Sequence, residues 1–179
     1  MCSSDLKGGT ATCSSSLYVK SPTVTTAVTT GSLINGWHQL VNVGWSFNVN
    51  DKCANISNRV VQVFSNEPDV GPGQDASYSP DAKLTNLPGT QVTTAVRVRS
   101  EQAVPVTGRV YLIVHTVTDI NGHKAWSCSP VTVPVSAAPA SVAAATAAGA
   151  AAAASCNQTG AAPAGYVAVG GGPVLGSYQ

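Results

Sequence analysis

The sequence predicts an all-β domain, two antiparallel sheets packed face to face, followed by a low-complexity tail, and three observations carry that expectation. Apolar residues recur at every second position through successive runs between positions 22 and 135. Turn-forming residues separate those runs, and no stretch between them keeps a helical period. After Ser136 the composition changes abruptly to Ala and Gly, which ends the sheet-forming part.

The chain divides accordingly. Residues 1–6, MCSSDL, are what a common sequencing-library adapter yields when it is read in frame from a GTG start, so they are expected to be an artefact on a metagenomic fragment. The alternative, a lipidated Cys2, needs an apolar stretch before the cysteine, and none precedes it. Residues 7–19 read as the remnant strand of a preceding module, 20–136 as the sandwich, and 137–179 as a linker or disordered tail.

Alternation is clearest over 41–49, where Val41, Val43, Trp45, Phe47 and Val49 fall on one face and Asn42, Gly44, Ser46 and Asn48 on the other. A period of two sends the first set to a core and the second to water. Similar runs cover 22–29, 59–65, 91–99, 109–118 and 126–135. Between them stand NG at 35, PDVGPG at 68, LPG at 87, VPVTG at 104 and DINGH at 119. The last is a strong hairpin signal, because Asn and Gly tolerate positive φ. About seven short strands without helices between them imply a two-layer sandwich.

Charged residues make up only 9% of the chain and the net charge is +1, which argues against an electrostatic nucleic-acid binder. Cys53 follows the 41–49 run with the parity of its apolar face, and Cys128 lies beside Trp126 in the last run. If those strands face each other, a Cys53–Cys128 disulfide is feasible and fits an oxidising compartment; the alternative is two buried thiols. No CxxC pair is present, so neither a zinc ribbon nor a thioredoxin-like site is supported.

VVQVFSNEPDVGPGQD, AVRVRSEQ, GRVYLIVHTVTDINGH and SPVTVPVS, in that order, resemble the immunoglobulin-like modules related to HYR and PKD repeats in bacterial secreted and surface proteins. The resemblance spans about residues 20–136 and implies an immunoglobulin-like antiparallel β-sandwich. GGTATCSSSLYVKSPT, from Gly8, is similar to the last strand of one such module and the linker into the next. Cys13 would then play the role that Cys128 plays in the complete domain, and the parent would be a multi-module array.

SNEPDVGPGQD, residues 65–75, is the best ligand candidate. Calcium takes about six to eight hard oxygens, often from one loop, and Glu67, Asp69 and Asp75 supply carboxylates, with Asp119 or Asp81 near if strand ends converge. Against this, Pro72 stands where the family-like pattern offers another acid, and acidic turn residues commonly cap their own backbone. Trp37, in a loop, suits stacking on a sugar ring, whereas Trp45 belongs to the core face. His115 shares the parity of Tyr111 and Ile113 and reads as a packing residue, and His123 falls in a hairpin turn. Arg97 and Arg99 read as a solvated sheet face. No HExxH, GxSxG or phosphate-binding glycine loop accompanies these residues, so the chain is not expected to be an enzyme.

The tail carries no charge and is interrupted by Pro139 and Gly149, so it is expected neither to hold a stable helix nor to span a membrane. The sequence therefore leads to a non-catalytic extracellular or cell-surface spacer or adhesion module. Its partners would be other modules of the same polypeptide or surface ligands. The alternative is an accessory module that binds calcium or a polysaccharide for an absent catalytic domain.

Overall fold

The computed structural model describes residues 21–34, 38–70, 78–102 and 107–176. Nine strands and one helix are present among them: β1 (Thr23–Val28), β2 (Leu40–Asn42), β3 (Trp45–Asn50), β4 (Ile56–Ser65), β5 (Ala82–Asn86), β6 (Thr93–Arg99), β7 (Arg109–Asp119), β8 (Lys124–Val133), α1 (Pro139–Thr159) and β9 (Val167–Val169). One sheet has the order β8-β7-β4-β9 and is antiparallel throughout. Opposite it lie β2-β6-β5 and the pair β1-β3.

A single step in the backbone joins those two groups. The 41–49 run is divided at Val43 and Gly44 into two strands, so β2 pairs with β6 and β3 pairs with β1. Gly44 makes the step with a φ of 62°, and a Cβ there would fall 1.9 Å from Thr29 Oγ1. Only glycine fits both demands. The Val43 amide still reaches Val96 O at 3.1 Å, which ties the step to β6.

The core lies where the sequence puts it. Val43, Trp45, Val61, Val63, Val96, Val98, Tyr111, Ile113, Val131 and Val133 form one cluster, with Phe47 and Val41 packed against it. Each fully buried side chain of this size contributes about 1.5–3 kcal/mol before entropy is charged against it.

β7 departs from simple alternation, since nearly all of its residues are buried. Tyr111 and Ile113 face the main core, while Leu112 and Val114 meet a second cluster with Phe64, Trp126, Cys128, Ala153 and Cys156. The outer face of the sheet is therefore dry too, and the tail is what covers it. Residues 139–159 form a 21-residue helix instead of a linker. Pro139 starts that helix, where its missing N–H is harmless. Gly149 allows close approach, for a Cβ there would lie 2.9 Å from Thr132 Cγ2 and 3.2 Å from Pro130 Cβ. Gly160 ends it in a left-handed conformation, φ 74°, with its amide on Cys156 O at 2.7 Å. By length and composition alone α1 also passes for a membrane span, with a mean hydropathy of 1.2.

The cysteine pairing also differs from expectation. Cys128 is bonded to Cys156, 28 residues on, and Cys53 is an exposed free thiol. Two local facts explain the change. β3 ends at Asn50, and Asp51 Oδ1 accepts the Cys53 and Ala54 amides, so the alternation stops before it reaches Cys53. Cys128 sits opposite Val114 on the outer face, away from Trp45 and toward α1.

A buried ion cluster as the candidate functional site

The acidic loop leaves β4 at Ser65, and its first carboxylates turn inward. Arg109 begins β7 and is fully buried, as is Asp81 just before β5; Arg99, the last residue of β6, is 2% exposed. Asp81 joins the two guanidinium groups. Its Oδ1 accepts from Arg99 Nε at 3.2 Å and its Oδ2 from Arg109 Nη2. Arg109 also donates to Ser65 Oγ at 3.1 Å and to the carbonyls of Glu67 and Pro68 at 3.2 Å each. Glu67 Oε2 stands 3.9 Å from Arg109 Nε.

The cluster continues beyond Arg99. That side chain donates to Pro80 O at 2.8 Å and to His38 O, and its Nε lies 3.4 Å from Glu101 Oε1. His38 Nδ1–H donates to Glu101 Oε2, and the imidazole stacks on Tyr78 at 4.2 Å. Aromatic faces complete the enclosure: Arg109 lies 4.7 Å from the Tyr111 ring and Arg99 5.7 Å from that of Tyr78. Tyr111 OH donates to Arg99 O at 3.0 Å. Buried charge of both signs is thus held in a hydrogen-bonded lattice that ties the loops of one sandwich end together. Removing one member would strand its partners in a poorly solvating interior.

The proposed calcium ligands do not converge. Glu67 is buried against Arg109. Asp69 gives its oxygens to backbone amides: Asp81 N at 2.9 Å, Gly170 N at 2.9 Å and Gly172 N at 2.7 Å. Asp119 closes the opposite end of β7, ten residues from Arg109 and hence roughly 33 Å away along an extended strand. There it caps its own turn, accepting the Asn121 and His123 amides at 2.8 Å each and the His123 ring N–H at 2.8 Å. Burial alone would raise the Asp119 carboxyl, but these hydrogen bonds and the neighbouring imidazole outweigh it and hold the group below its ordinary value. Asp75 and Trp37 lie outside the described residues. Among the described residues no three His, Cys, Asp or Glu side chains are grouped to hold a metal ion.

Arg99 corrects a further expectation. On strand parity it belongs to the outer face with Arg97, yet the segment through Pro80 and Asp81 folds over it and removes it from water. The sequence clue to the cluster lies at Arg109, a charged residue that opens the unbroken apolar run RVYLIV and so calls for a counter-charge where that run is buried. Asp81, weighed only as a spare ligand, is that counter-charge. His115 is a packing residue, set edge-on to Trp45 and Phe47 at 5.6 and 5.0 Å. Burial, and then the charge of Arg59, lower its pKa to about 4, so it is neutral at pH 7.

No family model, curated protein or solved structure matches the chain.

Proposed function

We propose that the chain is a non-catalytic, immunoglobulin-like spacer or adhesion module of a larger extracellular protein, with other modules of the same polypeptide as its partners. One observation carries the reading: the chain joins the sandwich at one end and leaves it at the other. Thr23 pairs with Asn50, beside the loop into β4 whose first residue lies opposite Asp119. Leu175 exchanges backbone hydrogen bonds with Ser79, two residues from Asp81 in the ion cluster. The two points are separated by about one length of β7, roughly 35 Å. A module threaded this way adds its long dimension to whatever it connects.

Several features support the same reading. The order β8-β7-β4 against a layer made of β2-β6-β5 and the pair β1-β3 suits an immunoglobulin-like sandwich. The disulfide suits an oxidising compartment. The acidic side chains of Glu67, Asp69, Asp81 and Asp119 engage their own chain. We read α1 as part of the domain, because a disulfide and a small-residue stripe fix it to β8.

Small-angle scattering on one copy and on two copies joined in series tests the reading. The maximum dimension is expected to grow by about 35 Å per added module. A doubled chain that folds back on itself overturns it. So does a calcium-dependent rise in melting temperature reversed by EDTA, or retention on insoluble glycans, either of which favours the accessory binding module.

A further inference from the structure

We propose that residues 160–175 form a strap that shields the Cys128–Cys156 disulfide from thiol exchange, with the Asp69 carboxylate as its buckle. The strap begins at Gly160, which turns the chain beneath Trp126; a Cβ at Gly160 would lie 2.7 Å from the indole. Ala162 and Tyr166 then pack on the cluster that contains both cysteines. Burial there pushes the Tyr166 phenol above its ordinary pKa. Cys156 is fully buried and Cys128 is 6% exposed, so a thiolate reaches the bridge only after something moves.

The strap is the part that moves at least cost. It carries no charged residue of its own. β9 pairs with β4 through only three residues, Val63 to Ser65. Among the described residues, the hydrogen bonds that hold the strap beyond β9 are those of the Gly170 and Gly172 amides to Asp69 and the two backbone bonds between Leu175 and Ser79. Hydrogen bonds to a carboxylate are the stronger kind, so Asp69 dominates this short list. Opening so few bonds peels β9 from β4 and exposes the bridge well before β8, β7 and β4 separate.

The exchange needs a dithiol reductant. Its thiolate attacks one bridge sulfur and expels the other cysteine as a thiolate, which takes up a proton. The reagent's second thiolate then attacks the mixed disulfide, frees the second cysteine and leaves the reagent oxidised to a cyclic disulfide. The inference stands apart from the spacer reading, since it concerns only which bonds guard the bridge.

The test follows reduction by dithiothreitol in the full chain under native conditions, with quenched alkylation and mass spectrometry. Alkylation of exposed Cys53 serves as the internal control. Asp69→Ala removes the buckle. Gly172→Ala attacks it from the strap side, since the added Cβ would fall 2.6 Å from Ser79 Oγ and 2.7 Å from Asp69 Cβ. Both variants are expected to lose the bridge about tenfold faster or more, with Cys53 labelling unchanged. Asp69 also holds the Asp81 amide, so Gly172→Ala keeps the test open if the first variant fails to fold. Wild-type reduction rates in the folded variants overturn the proposal. So does a wild-type rate that falls with added stabiliser as steeply as global unfolding does.

Discussion

Asn157 turns its carboxamide onto the backbone of Cys128: its Oδ1 accepts the Cys128 amide at 3.0 Å and its Nδ2 donates to the Cys128 carbonyl at 3.4 Å. A side chain on the helix thereby takes the place of a neighbouring strand on the open edge of β8. The same edge is covered further along, where Leu33 N donates to Thr132 O at 2.8 Å and Thr132 N to Gly31 O at 2.9 Å. Pro130, between these points, offers no donor. An otherwise open sheet edge is closed to other chains. Asn157→Ala is expected to cost about 1–2 kcal/mol in urea unfolding and to speed exchange of the Cys128 amide. Wild-type exchange at that amide would show that the contact does not hold the edge.

Asp81 is the second target. It lies between Arg99 and Arg109 with no exposure to water, so Asp81→Ala takes from two buried guanidinium groups the carboxylate that joins them. The expected loss is about 3–5 kcal/mol, and added salt should recover little of it, because buried pairs are weakly screened. Chemical denaturation at low and high salt measures both. A loss below about 1 kcal/mol would mean that the cluster contributes little to the fold.

Much of the sandwich was legible because it follows alternation. Val41, Val43, Trp45 and Phe47 did mark the inward face, and the DINGH hairpin closes where its turn residues fall. What was not legible depends on a third layer. Ala and Gly carry no amphipathic signal, so nothing in the tail alone announces a helix whose buried stripe is Ala145, Gly149, Ala152, Ala153 and Cys156. The complementary sign was on β7, whose VYLIV run is apolar at consecutive positions, as a strand covered on both faces must be. The ion cluster was hidden for a related reason. Parity assigns a face, but it does not say whether a loop folds over that face, as residues 79–81 do over Arg99.

His115 makes stability depend on pH. Its pKa is lowered to about 4, against about 6.5 for an exposed histidine, so between those values the unfolded chain binds a proton that the folded one refuses. Its contribution is fully present above pH 6.5, is lost as pH falls toward 4, and amounts to at most on the order of 3 kcal/mol. Asp119 adds a second, more acidic limb, since its carboxyl is held below its ordinary value and its stabilisation is lost as the pH falls through that lowered pKa. Urea midpoints from pH 7.5 to 3 should therefore fall in two stages. His115→Phe should flatten the first stage alone, and a slope unchanged in that variant would assign it to another group.

The last prediction separates the two disulfide assignments by energetics. Closing a 28-residue loop restricts the unfolded chain by roughly 3–4 kcal/mol, and the bridge also anchors the helix that covers Leu112 and Val114. Cys156→Ser should lower stability by about that amount and bring the cover off the outer face, seen as binding of a hydrophobic dye below the main unfolding transition. Cys53→Ser, on an exposed side chain, should stay within about 0.5 kcal/mol of wild type. The reverse ranking would restore the pairing inferred from strand parity, because only a bridged Cys53 makes its own removal costly. Peptide mapping of the oxidised chain gives a second readout that does not depend on stability. A fragment joining Cys128 to Cys156 supports the helix-anchoring bridge, and one joining Cys53 to Cys128 refutes it.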